Sequence, residues 1–189
     1  MKSLNAWVLS SLPGGQSELF PETETHNNLA SGFNRAKFAW YVIDPLFLRN
    51  NASTPNHIKN DPDEQSSHFV REVFEKEIWP NKESPSGIPT NIAVLNMAYY
   101  PQEKGPYNYD LESNQYSSGV DNEGKLIDPE TRWGGIMREV QTNDFEAANI
   151  QFIKFWLMDP FVEDPTHQGG ELYFNLGNLY FQIPTIAPS

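Results

Sequence analysis

Residues 149–158 read Asn-Ile-Gln-Phe-Ile-Lys-Phe-Trp-Leu-Met, and the fold class turns on them. Alternate residues of a strand face opposite sides, and here both sides are nearly apolar. Such a run reads as a strand covered on both faces. Residues 171–176 (ELYFNL) follow with Leu172, Phe174 and Leu176 inward and Tyr173 and Asn175 outward. Upstream, residues 135–140 alternate Ile136, Arg138 and Val140 against Met137 and Glu139, the pattern of a half-buried strand. Residues 92–100 (IAVLNMAYY) are apolar on both faces and bounded by Pro89 and Pro101. Residues 36–43 (AKFAWYVI) are rich in aromatic and β-branched side chains and end at Asp44-Pro45. A short first strand is expected over 6–10.

One helix stands out, over about residues 62–79. Asp61-Pro62-Asp63-Glu64 supplies a capping carboxylate, proline at the first helical position and an acid at the third. Phe69, Val70, Val73, Phe74 and Ile78 then form one apolar stripe before Pro80. The expected fold is mainly β: an antiparallel sandwich of jelly-roll type, with this amphipathic helix and long loops. A mixed α+β sheet with the helix across one face is the alternative. The domain spans 1–178, and 179–189 reads as a C-terminal tail or linker. Within that end, Asn178-Leu179-Tyr180-Phe181-Gln182 resembles part of a protease-cleavage tag.

The chain has 189 residues, enough for a real core in one domain. It has no cysteine, which excludes disulfides, thiolate metal sites and a cysteine nucleophile. Thirteen basic residues against 25 acidic ones give a net charge of −12, a poor match for nucleic acid or anionic lipid. Aromatic residues make up 13%, which argues against intrinsic disorder. No signal-peptide core or transmembrane run of the required length is seen.

Little in the chain points to catalysis. His26, His57, His68 and His167 fall in no metal-binding spacing. Asp121-Asn122-Glu123-Gly124 reads as a turn and Asp61-Pro62-Asp63-Glu64 as a helix cap, with a structural calcium the competing reading. No two carboxylates are singled out as a hydrolytic pair, and no Gly-x-Ser-x-Gly elbow occurs. The chain is read as non-enzymatic and without a cofactor or metal. The long irregular segment over 101–128, with a hairpin around Asn122, is the feature that suggests binding. Tyr99, Tyr100, Tyr107, Tyr109, Tyr116 and Trp133 lie in or beside it as partner-contact candidates. They either form exposed platforms or pack the segment onto its own sheet. Sugar rings stacked on a jelly-roll frame, with a structural calcium, are the alternative ligand reading.

A family resemblance sharpens these expectations. Gly32-Phe33-Asn34-Arg35-Ala36-Lys37-Phe38-Ala39-Trp40-Tyr41 with Asp44-Pro45-Leu46-Phe47 resembles a motif of the SprA/Sov family. Ile58-Lys59-Asn60-Asp61-Pro62, Val70-Arg71-Glu72-Val73, Ala98-Tyr99-Tyr100-Pro101 and Gly105-Pro106-Tyr107-Asn108-Tyr109-Asp110 continue it in order. So do Trp133-Gly134-Gly135-Ile136-Met137-Arg138 and the most specific piece, Thr142-Asn143-Asp144-Phe145-Glu146-Ala147-Ala148-Asn149-Ile150. Phe155-Trp156-Leu157-Met158-Asp159-Pro160-Phe161 and Gly170-Glu171-Leu172-Tyr173-Phe174-Asn175-Leu176-Gly177-Asn178 close it. The likeness covers roughly 4–178, and 179–189 departs from it.

The resemblance implies one soluble segment of a very large outer-membrane β-barrel, the translocon of type IX secretion and gliding motility. It implies a cell-envelope location beside the outer membrane, with no direct membrane insertion by this segment. It implies partners among other segments of the same barrel protein, secretion-system proteins or exported cargo. The family brings no catalytic residues.

Overall fold

A computed structural model describes residues 6–24, 29–83, 87–140, 142 and 144–176. Among the described residues there are four strands: β1 (Val8–Leu9), β2 (Ala36–Tyr41), β3 (Asn96–Lys104) and β4 (Ile136–Met137). They form two two-stranded sheets, β1 with β4 and β2 with β3. β1 and β4 run antiparallel, Val8 opposite Met137 and Leu9 opposite Ile136. The helices are single turns: α1 (Pro45–Leu48), α2 (Asn56–Lys59), α3 (Pro62–Ser66) and α4 (Glu75–Ile78). Short 3₁₀ turns occupy Pro21–Glu24, Leu29–Gly32 and Pro129–Thr131.

The jelly-roll sandwich is overturned. Two two-stranded sheets do not supply the facing sheets that a sandwich core needs. Residues 149–158 and 171–176 form no strand, and their side chains are exposed. Apolar alternation describes a strand that has partners, and among the described residues none pairs with them. The strand expected at 6–10 contracts to Val8–Leu9, and that at 135–140 to Ile136–Met137. The strand expected at 36–43 forms as Ala36–Tyr41. That at 92–100 shifts to Asn96–Lys104 and runs through Pro101 instead of stopping there. Each strand of a two-stranded sheet is an edge strand, where a missing N–H is tolerated.

The single helix over 62–79 is also corrected. Its start is as expected: the Asp61 carboxylate accepts the Glu64 N–H at 3.0 Å, with Pro62 in the first turn. Ser67 then leaves the helical region at φ −50, ψ 139. Phe74 is extended and bridges Asn91, with Glu75 N–H on Thr90 O (2.8 Å) and Ile92 N–H on Val73 O (2.9 Å). This long-range pairing replaces the helical bonds of 70–74. α4 restarts where Glu77 accepts the Phe74 N–H at 2.9 Å and holds Arg71 by two further bonds.

The chain packs into two units. Trp40–Asn96 with Gln151–Gly170 form the first. Its one buried polar side chain among the described residues, Thr54, donates to Arg49 O (2.6 Å) and Leu46 O (3.0 Å). The second comprises the described parts of Asn5–Ala39, Met97–Ile150 and Glu171–Ser189. There the expected hairpin forms around Asn122, with Val120 opposite Leu126 and Gly124 at φ +80. Residues 144–150 turn back on themselves, with Ile150 N–H on Phe145 O at 2.8 Å. The cleavage-tag resemblance, the tail over 179–189, His26 and Asn143 lie outside the described residues.

Candidate partner-contact surface

The core of the second unit is largely polar. Among its described residues the buried apolar side chains include Ala30, Ala36 and Leu126, and beside them Glu22, Asn34, Asn108, Asp110, Ser117 and Arg132 are buried. Buried polar groups persist only when hydrogen-bonded, and Arg132 organises that pairing. Its Nε donates to Ile127 O (2.9 Å), one terminal nitrogen to Asn34 Oδ1 (2.8 Å), Ser117 Oγ (2.7 Å) and Phe33 O (3.2 Å), and the other to Gly119 O (3.2 Å) and Ile127 O (2.5 Å). The Asp110 carboxylate lies 3.8 Å from the guanidinium and accepts from Ser117 and Asn114. Asn34 donates to Glu22 (3.2 Å) and to Tyr116 O (2.8 Å).

These bonds dictate how residues 105–111 run. Asn108 turns in and donates to Phe33 O (2.9 Å) and Arg35 O (2.7 Å), while its Oδ1 accepts the Asp110 N–H (2.9 Å). Lys104 donates to Asp110 O. With Asn108 and Asp110 anchored inward, Tyr107, Tyr109 and Leu111 alternate outward at 51%, 53% and 69% exposure. The usual polarity of a surface strand is inverted. Tyr107 takes φ +63, an unusual conformation for a tyrosine. Gly32 makes room for it: a Cβ there would meet Tyr107 O at 2.4 Å.

The six aromatic candidates do not form one platform. Tyr107 and Tyr109 share the outward edge just described. Arg35 lies between Tyr107 and Trp133, 6.0 Å and 4.9 Å from their ring centres, and donates to Pro106 O and Ser10 O. Trp133 is half-buried, edge-on to Phe20 at 6.4 Å. Tyr116 is half-buried too, turned by Asn114. Tyr99 packs on Phe38 at 6.3 Å, while Lys37, paired with Glu103, covers the Tyr100 ring at 4.7 Å. Tyr99 and Tyr100 line an open groove of about 350 Å³ with Gln102, Glu103, Lys125 and Pro129.

Burial dominates the electrostatics. It pushes the Tyr99 phenol up to about 12, against the opposing charge of Arg132. It also raises the Glu22 carboxyl above its ordinary 4.5; bonds from the Glu22 backbone, Asn34 and Trp133 and the Arg132 charge oppose this and are outweighed. The Trp133 indole nitrogen is buried near Glu22 without a well-formed hydrogen bond. Burial likewise lowers the Arg132 and Arg35 guanidinium values, in a range where both stay charged.

Other candidates resolve into local structure. The Asp121 carboxylate accepts the Glu123 and Lys125 N–H groups of its own turn at 2.8 and 2.9 Å. His167 stacks on Phe161 at 3.7 Å and accepts the Gly169 N–H. Sequence reasoning did not single out Arg132, Asn108, Asp110 or Leu111. The signal available was the Tyr-Asn-Tyr-Asp-Leu alternation itself, whose polarity reads either way until the buried side is known. No helix among the described residues is long and apolar enough to cross a membrane. No protein-family model matches the chain, and no curated protein sequence matches it.

Proposed function

We propose that the chain is a non-catalytic scaffold and interaction segment of a SprA-like outer-membrane translocon, serving type IX protein secretion and gliding motility at the cell envelope. Its task is binding and positioning, and its contact edge is Tyr107, Tyr109 and Leu111. One observation carries this reading. Residues 107–111 bury their polar side chains on the Arg132 network and turn their aromatic and aliphatic ones outward. Tyrosines held on a rigid backbone bind with little loss of conformational entropy. The ordered SprA-like phrases supply the assembly in which such an edge would be used. The partners in this reading are other segments of the same barrel protein, secretion-system proteins or exported cargo.

The test is Tyr107→Ala with Tyr109→Ala, placed in the full-length native protein. Both residues are more than half exposed, so the melting temperature of the segment should barely move. Cargo secretion and cross-linking from position 111 to partners should both fall. If fold, secretion and cross-linking all stay at wild-type level, the contact edge is not at these residues.

A further inference from the structure

The edge of Tyr107, Tyr109 and Leu111 belongs to an acidic unit whose described basic side chains are already engaged. Lys37 pairs with Glu103, and Lys125 with Glu123. Arg132 is buried beside Asp110, and Lys104 donates to Asp110 O. Arg35 sits between the Tyr107 and Trp133 rings, and Arg138 lies over Trp7. Glu112 follows directly on Leu111, is exposed and forms no ion pair among the described residues. Gly119 lies against the Glu112 backbone, and its neighbour Ser118 donates to Asp128 (2.5 Å). A second exposed carboxylate without an ion pair, Asp128, thus comes from a distant stretch to the same region.

Tyr109 differs from the other exposed tyrosines. Arg35 lies near the Tyr107 ring and Lys37 covers Tyr100, whereas no cation or ring among the described residues covers Tyr109. An open aromatic face attracts a cation, and a carboxylate beside it adds to that attraction and repels an acidic partner. Leu111 adds apolar area at 69% exposure. We propose, resting on the contact edge above, that its partner is a basic protein segment. An arginine or lysine of that segment lies on the Tyr109 face and pairs with Glu112, and an aliphatic side chain next to it covers Leu111. The partner thereby supplies the positive charge that the second unit spends on its own carboxylates and rings.

A photoreactive benzophenone side chain at position 111 of the full-length native protein, irradiated in whole cells, captures what lies on the edge. Peptide mass spectrometry then reads the captured sequence, which should carry a lysine or arginine within about three residues of the link. Glu112→Lys should cut the cross-linking yield about threefold or more, and changing the captured basic residue to glutamate should restore it. Tyr109→Phe should keep the yield and Tyr109→Leu should lower it, since only phenylalanine keeps the aromatic face. A captured sequence without a basic residue, or a yield that Glu112→Lys or Tyr109→Leu leaves unchanged, overturns the proposal while the contact edge stands. No cross-link from position 111 at all overturns the edge and the proposal together.

Discussion

Arg132 has its side chain wholly excluded from water, with Asp110 1% exposed beside it. A buried charge left without its partner is strongly destabilising. Arg132→Met should therefore cost about 3–5 kcal/mol, seen as an early chemical-denaturation midpoint. Arg132→Met with Asp110→Leu should recover part of that loss, since the second change removes the orphaned carboxylate. Glu22 gives a pH test. Its folded carboxyl titrates above the ordinary 4.5, so the folded state holds the proton more tightly than the unfolded chain. Stability from this group is full at low pH and declines as pH rises above 4.5. Glu22→Gln should thus melt higher than wild type near pH 7, and the gap should close below about pH 4 in a series of melting scans. Gly32→Ala drives a methyl into Tyr107 O, so it should destabilise the second unit by roughly 1–3 kcal/mol and shift the amide signals of 105–110. None of these roles shows in the sequence. Nothing beside Arg132 in the chain marks it as buried, because its burial depends on residues 33, 34, 110, 117, 119 and 127 arriving around it.

Elements were legible where the signal is local. Asp61-Pro62 announces the start of α3, and the Asp61 bond to Glu64 N–H is the mechanism. Asp61→Ala should cost that helix about 1 kcal/mol, read as faster amide exchange at Glu64 and Gln65. The aromatic and β-branched run at 36–43 likewise gave β2, over Ala36–Tyr41, and Gly124 turned the hairpin expected around Asn122. The far half of the expected helix failed for a non-local reason. Residues 73–75 bond to 90–92, and a stripe of Phe69, Val70, Val73, Phe74 and Ile78 carries no information about that distant strand. Phe69 and Phe74 end up exposed, so no helical face is buried there. The same limit explains 149–158 and 171–176, whose alternation specifies which side chains share a face and leaves the neighbour unnamed.

For the whole molecule, the net charge of −12 sets copies of the chain against one another. Composition and charge, the helix start at Asp61, the hairpin around Asn122 and the strand at 36–41 were decided by the sequence alone, because each rests on residues within a few positions of one another. The outward edge of Tyr107, Tyr109 and Leu111 was decided only by tertiary structure. The alternation Tyr-Asn-Tyr-Asp-Leu is symmetric between two opposite faces until Arg132, 22 residues beyond Asp110, draws the polar face inward. Burying hydrogen-bonded Asn and Asp there, and leaving aromatic rings in water, reverses the ordinary preference of each side chain. Only a buried guanidinium with acceptors on every side makes that reversal stable.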